Sequence, residues 1–113
     1  MCSQTMVNEI SEKVVKAAKE SLGDKLDKVI LYGSYARGDN DNESDIDIMV
    51  LADIPREDAR KVYKQIWSKT GDLDLEYSVF ISIHVTDCDT FYQYVNDLPF
   101  YMNVLRDGVE LSA

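Results

Sequence analysis

Residues 31–38 read LYGSYARG and residues 44–48 read SDIDI, and these two stretches decide how the chain is organised. The first begins in a run rich in β-branched and aromatic side chains, residues 27–32, which predicts a strand that ends at a Gly-Ser pair. The second opens another strand, which becomes wholly apolar toward Leu51 and is therefore expected to be buried on both faces. The intervening residues 38–44 are small and polar, as is typical of a turn.

The rest of the chain alternates between helical and extended patterns. Apolar residues that recur at steps of three and four predict helices over residues 3–22, 55–76, 87–95 and 99–107. We expect the second helix to run past Gly71, because its apolar stripe resumes in phase, and we expect a third strand over Val79–Val85. This alternation favours an α/β (α+β) class, with a small mixed β-sheet packed against helices. The length fits one domain over residues 1–113, with its core at about residues 22–95 and a helical tail over residues 96–113.

The composition limits the kinds of partner that the protein is expected to bind and the compartment in which it is expected to work. The 113 residues include 21 acidic and 12 basic side chains, and the net charge of −9 disfavours generic nucleic-acid binding. No apolar run approaches the length of a membrane span, and the N-terminal residues lack the pattern of a signal peptide. With two cysteines and no disulfide framework, we expect a protein of the reducing cytoplasm.

Asp45 and Asp47 are the candidate catalytic and metal-binding residues. Two positions apart on a strand, they leave the same face with Cα atoms ~7 Å apart, while Ile46 and Ile48 point into the core. Two carboxylates on one face repel each other unless a cation lies between them. Their oxygens suit Mg²⁺, with Mn²⁺ as the alternative, and Mg²⁺ takes its remaining ligands from phosphates and water.

Gly33 and Ser34 are the candidate phosphate-binding residues. Glycine lets the backbone approach a phosphate closely, and the Ser34 hydroxyl can donate to a phosphate oxygen. Arg37 lies about one helical turn later and can brace the loop or reach the phosphates. Together with Ser44, which directly precedes the acidic pair, these residues predict a site for ATP or another nucleoside triphosphate.

The Gly-Ser pair followed by SDIDI resembles the signature of the DNA polymerase β-type nucleotidyltransferase superfamily. The fuller string GSYARGDNDNESDIDIMV is similar to its small members, the minimal nucleotidyltransferase (MNT, MntA-like) domains. This resemblance implies the polymerase β-like fold and a Mg²⁺-dependent transfer of a nucleotide, usually AMP, to a hydroxyl acceptor. It also implies pairing with a HEPN-domain protein, as antitoxin to toxin, with a tyrosine of the partner as the acceptor.

One element of the family pattern is absent. The family places a third carboxylate on the next core strand, where this chain has Ser82, and serine cannot replace a carboxylate as a base at neutral pH. His84 lies on the same predicted face and is one substitute, since imidazole can accept a proton near neutral pH. Asp74 and Glu76 are others, if their helix ends early.

Two other functions stay open. If turnover is lost, the protein is a binding module that acts on a partner by contact. The remaining alternative is transfer to a small acceptor such as an aminoglycoside, although enzymes of that kind usually carry an additional helical domain. The apolar tail Leu98–Leu105 either closes the core or forms a partner or homodimer surface.

Overall fold

The computed structural model describes residues 4–33 and 45–111. Two short 3-10 turns, Gly23–Lys25 and Arg56–Asp58, supplement its helices and strands. In chain order these elements are α1 (Gln4–Leu22), β1 (Leu26–Tyr32), β2 (Ile46–Ala52), α2 (Ala59–Thr70), α3 (Leu73–Tyr77), β3 (Ile81–Asp87), α4 (Cys88–Tyr94), α5 (Pro99–Asp107) and β4 (Val109–Glu110).

The described strands form a mixed four-stranded sheet in the order β3-β2-β1-β4. β1 is antiparallel to both of its neighbours, whereas β2 and β3 are parallel. A parallel pair needs a crossover connection, and α2 and α3 supply it. The predicted α/β class and small mixed sheet are confirmed.

One face of the sheet packs against α1 and α2. The alternation of apolar residues in β1 and β2 sends half of their side chains to this face, where they meet the apolar stripes of the two helices. The buried side chains of this larger core include Ile10, Val14, Val29, Leu31, Ile46, Ile48, Val50 and Ile66.

The other face packs against α4 and α5. Its buried cluster is smaller, because both helices are short, and it consists of Ile30, Tyr32, Met49, Leu51, Phe91, Val95 and Val104. Val104 on α5 is buried, while Leu98, Phe100, Met102 and Leu105 remain about half exposed. The C-terminal tail therefore closes part of the core and also leaves an apolar outer surface.

The prediction of one helix over residues 55–76 is wrong. The segment begins with a 3-10 turn, α2 ends at Thr70, and a separate helix, α3, starts at Leu73. Glycine is a poor helix former by about 1 kcal/mol relative to alanine, and the chain turns at Gly71 so that Leu73 is buried in the core. β3 also begins two residues later than predicted, because the left-handed residue Ser78 (φ 54°) closes α3.

Other boundaries agree closely with expectation. The helix predicted over residues 87–95 is α4, and Asp87 caps it: its carboxylate accepts a hydrogen bond of 2.9 Å from the Thr90 backbone N–H. The residues after Gly108 form a short strand, β4, that pairs with β1. None of the helices within residues 4–33 and 45–111 has the length and apolar character needed to span a membrane.

Candidate active site

The site begins where β1 ends, at Gly33. This residue has a positive φ of 78°, a conformation that glycine adopts without steric cost. The Asp47 carboxylate packs directly against it, so that a Cβ at position 33 would collide with the Asp47 Oδ2 atom. Only glycine satisfies both the backbone angle and this close approach, and the turn and the carboxylate are thereby fixed relative to each other.

Asp45 and Asp47 flank a fully buried residue. Ile46 is directed into the larger core, and because side chains alternate along a strand, the Asp47 side chain projects from the opposite face. Asp47 is half-buried within β2, and Asp45 is exposed just before the strand begins. The donor chemistry fits Mg²⁺, which needs only one or two protein carboxylates when phosphates and water complete its coordination.

The described residues contain no group of three or more His, Cys, Asp and Glu side chains arranged to hold a metal ion. An ion bound by Asp45 and Asp47 would therefore take its remaining ligands from groups other than the described His, Cys, Asp and Glu side chains.

Tyr32 forms the floor beside the acidic pair. It is paired in register with Asp47, and burial, supplemented by the negative charge of Asp47, raises the pKa of its phenol far above the ordinary value. The phenol therefore stays neutral and does not act as a base near neutral pH. Its ring contacts Phe100 of α5 edge-on, with centroids 5.6 Å apart, and the His84 ring lies 6.3 Å away.

Ser82 is the residue at which the resemblance led us to expect a third carboxylate. The register of the parallel strands places Ser82 directly opposite Asp47. His84 lies two residues further along the same face, opposite Met49, and its side chain is exposed. It is the nearest titratable group that β3 offers on this face.

Asp74 and Glu76 do not supply the missing acid. Their helix ends early, yet the Asp74 carboxylate is 3.5 Å from the Ile81 backbone N–H and lines a small pocket with Ile81 and Ile83, on the opposite face from Ser82. Glu76 is 3.4 Å from the Lys13 ammonium of α1.

A family profile described as "Nucleotidyltransferase domain" matches residues 11–97. The chain belongs to the nucleotidyltransferase family. The match extends from α1 to the end of α4, and thus includes the Gly33 turn, both aspartates and β3.

Two proteins of Methanocaldococcus jannaschii, each provisionally named a protein adenylyltransferase, are similar to this nucleotidyltransferase in sequence. One is 34% identical over 97 residues, which cover 86% of this chain and 89% of the relative. The other is 41% identical over 74 residues, which cover 66% of this chain and 73% of the relative. The expected enzyme class, a nucleotidyltransferase, is confirmed by this family membership.

Solved structures share the fold. A provisionally named nucleotidyltransferase from Sulfolobus solfataricus superimposes with a TM-score of 0.60 at 19% identity, covering 95% of this chain and 80% of that one. A toxin–antitoxin structure with AMP-PNP gives a TM-score of 0.53 at 20% identity, covering 91% and 73%. At these identities the comparison establishes the fold alone.

Three predicted nucleotide-binding residues, Ser34, Arg37 and Ser44, lie outside the described residues, and their roles stay predictions. Sequence reasoning missed two features of the described part. One is Phe100, which a tail segment brings to Tyr32 and His84. The other is α2, whose exposed surface is basic although the chain as a whole is acidic. The basic surface of α2 could have been predicted from the sequence, since residues 59–70 contain four basic residues and no acidic one.

Proposed function

We propose that this nucleotidyltransferase transfers AMP from ATP to a hydroxyl group of a protein, with Mg²⁺ held by Asp45 and Asp47. The observation that carries the proposal is the left-handed Gly33 turn packed against the Asp47 carboxylate. This arrangement provides a backbone that a phosphate can approach closely and a hard-ion ligand immediately beside it. The names of the two Methanocaldococcus relatives support AMP as the group transferred and a protein as the acceptor.

In this reaction the acceptor oxygen forms a bond to the α-phosphorus, the bond between the α- and β-phosphates breaks, and pyrophosphate leaves. The divalent ion, when bound, neutralises phosphate charge as it develops. Gly33 admits the phosphates, and Asp45 and Asp47 hold the ion. Because Ser82 cannot act as a base, the proton of the acceptor hydroxyl passes to His84 or to solvent. Such chemistry depends mainly on positioning and charge, so it tolerates a weak base.

We further propose that the acceptor is a HEPN-domain toxin and that this chain is its antitoxin in the cytoplasm. The toxin–antitoxin structures that share the fold support this assignment. A hydroxyl on such a partner, for example that of a tyrosine, would receive AMP.

The test uses ATP labelled at its α-phosphate, Mg²⁺ and a purified candidate partner. We expect label to appear on the partner and Asp47→Asn to reduce its rate of appearance by more than ~100-fold, because the ion loses a ligand. Asp24→Asn is the matched control, since Asp24 is exposed at the opposite end of β1. Transfer that survives Asp47→Asn would exclude the proposed role of this carboxylate.

A second candidate function is inhibition of a partner by contact. Ser82 opposite Asp47 favours it, because the position that holds an acid in the family has none here. In that case the Asp47→Asn variant would still neutralise the partner with undiminished affinity. Loss of neutralisation together with loss of label transfer would instead support the enzymatic function.

A further inference from the structure

β3 is the outermost strand of the described sheet, and only one of its sides is paired. The Ile46 N–H donates to the Phe80 carbonyl oxygen at 2.9 Å, and Ile46 lies opposite Ile81. In a parallel ladder this register directs the backbone groups of residues 82, 84 and 86 toward β2 and those of residues 81, 83 and 85 outward.

The outward amides differ in their partners. The Ile81 N–H is approached by the Asp74 carboxylate at 3.5 Å, which caps the start of the edge. In the part of the chain that the structure describes, no group accepts a hydrogen bond from the Ile83 or Val85 amide. The side chains of β3 are mostly half-exposed, whereas those of β2 are buried except for Asp47. An open strand edge of this kind is a template for another extended chain.

A groove runs along this edge, between β3 and α2. Its floor includes Ile83, and its wall includes Tyr63, whose side chain lines both ends of the groove. Trp67 and Arg60, one turn away on either side of Tyr63, extend the wall. Tyr63 is 39% exposed and Trp67 59% exposed, so both rings are available to a ligand. Tyrosine, tryptophan and arginine are the residues that most often dominate protein–protein binding energy.

The wall is positively charged. α2 carries Arg60, Lys61, Lys64 and Lys69 and no acidic residue, in a chain whose net charge is −9. None of these four bases forms an ion pair with another described residue. Lys64 lies one turn beyond Arg60 on the same side of the helix. Arg60 therefore places a cation at the end of the groove beside Ile83 and Val85, and Lys64 lies on the adjoining surface of α2, which also carries Glu57. The opposite end of the groove carries the Asp74 carboxylate.

We propose that an extended, acidic segment of the protein acceptor docks in this groove and adds to the outer edge of β3 as a further strand. The proposal rests on the protein acceptor of the proposed function. Main-chain hydrogen bonds to Ile83 and Val85 would hold the segment, and carboxylates on it would pair with Arg60 and Lys64. Its alternate side chains would share a sheet face with Asp47, about two strand spacings or roughly 10 Å away.

Charge decides against the other occupants. A second copy of this chain paired across a two-fold axis at β3 would bring the two basic α2 helices together, which is unfavourable for like charges. A nucleic acid would meet the strongly negative potential of the remaining surface, since the net charge of −9 already includes the bases of α2. An acidic segment whose carboxylates lie at the Arg60 end of the groove, away from Asp74, avoids both penalties.

The first experiment measures backbone amide hydrogen exchange by NMR in the free protein. We expect the Ile83 and Val85 amides to exchange at least ~100-fold faster than those of Ser82 and His84, which bond to β2. Protection of Ile83 and Val85 in the free protein would show that the edge is already covered. If that protection rises with protein concentration, the occupant is a second copy, and the proposal is overturned.

The second experiment selects binders from a displayed library of random peptides against the full chain. We expect the enriched peptides to be acidic, and a synthetic copy of one to slow exchange at Ile83 and Val85 specifically. Arg60→Glu/Lys64→Glu should weaken that peptide at least ~10-fold, whereas the matched double variant Lys16→Glu/Lys19→Glu on α1 should not. Enrichment of basic peptides, no enrichment, or protection elsewhere overturns the proposal, as does equal protection by a single-stranded oligonucleotide.

These measurements need no nucleotide and no turnover. If the edge binds acidic peptides while no label is ever transferred from ATP, the proposed reaction fails and the docking groove stands. If label is transferred and the Ile83 and Val85 amides never respond, the docking groove fails alone.

Discussion

The face of the sheet beneath α1 and α2 is densely covered, whereas the face beneath α4 and α5 leaves Asp47 and Ser82 half-exposed and His84 exposed. The first face is covered by α1 and α2, which have 19 and 12 residues. The second face is covered by α4 and α5, which have only seven and nine. Short helices cannot cover a strand end to end, and the uncovered end is where Gly33 and Asp47 meet. One face thus supplies most of the stability, which allows the other to hold exposed polar and charged side chains.

A matched pair of core truncations tests this difference in stability between the two faces. Ile48 faces the larger core and Ile30 the smaller one, and both are buried in adjacent strands. Truncation to alanine removes apolar contacts and leaves a cavity, at a cost of about 2–5 kcal/mol. We expect Ile48→Ala near the upper end of that range and Ile30→Ala near the lower, measured by urea unfolding. Equal costs would contradict the division of roles.

A second pair separates backbone strain from the chemistry of the site. Gly33 and Gly23 both have positive φ, but only at Gly33 would a Cβ collide with the Asp47 carboxylate, since no atom lies within 4 Å of a Cβ built at Gly23. Both alanine variants should lose about 1–2 kcal/mol of stability from the left-handed conformation. Only Gly33→Ala should also reduce AMP transfer, by ~100-fold. An active Gly33→Ala protein would show that the close approach is not needed.

The residues of the larger core, beneath α1 and α2, could be predicted from the sequence. The packing of the other face, beneath α4 and α5, could be predicted only in part. Period-2 and period-3.6 patterns identify Ile46, Ile48 and the α1 stripe as core, because burial imposes those periods directly. The Asp45–Asp47 spacing likewise predicts a shared side of the strand. These inferences need only local geometry. The structure agrees with the core assignments, whereas the shared side of Asp45 and Asp47 stays a prediction.

The features that were missed or wrongly predicted depend on how distant segments of the chain pack against each other. The break at Gly71 was hidden because the apolar stripe continues in phase across it, and phase does not reveal a change of helix direction. The approach of Phe100 to Tyr32 depends on how α5 packs, and no period in the sequence encodes that. Nor does residue spacing reveal that the outer edge of β3 is open, since strand order is a property of the whole sheet.

A third prediction concerns the strand that lacks an acid. Ser82→Asp would place a carboxylate directly opposite Asp47, in the register that the structure shows. If the site already binds nucleotide and ion, we expect AMP transfer to rise at least ~10-fold, because a positioned base typically contributes more than that. Ser82→Asn is the control, with similar volume and no charge. A fall in transfer with Ser82→Asp alone would show that a third negative charge disrupts the pair.

The smallest effect concerns how α4 is attached to the less covered face. The Tyr92 hydroxyl donates a hydrogen bond of 2.8 Å to Asp27 Oδ2 at the start of β1. Burial, aided by this bond and by the Asp27 charge, raises the pKa of Tyr92 from 10.0 to about 12. The fold thus favours the neutral phenol, so its contribution to stability is complete below pH ~10 and is lost as the pH rises through about 12.

We therefore expect the free energy of unfolding to fall between pH ~10 and 12 more steeply in the wild-type protein than in Tyr92→Phe, as measured by urea titrations at successive pH values. Some slope should remain in Tyr92→Phe, because burial also raises the pKa of the neighbouring Cys88 thiol, to about 11. Tyr94→Phe, which removes the hydroxyl of an exposed tyrosine on the same helix, serves as the matched control. If Tyr92→Phe and the wild-type protein have the same slope, the hydroxyl contact with Asp27 does not hold α4 in place, and the helix is held by its apolar contacts, chiefly those of the fully buried Phe91.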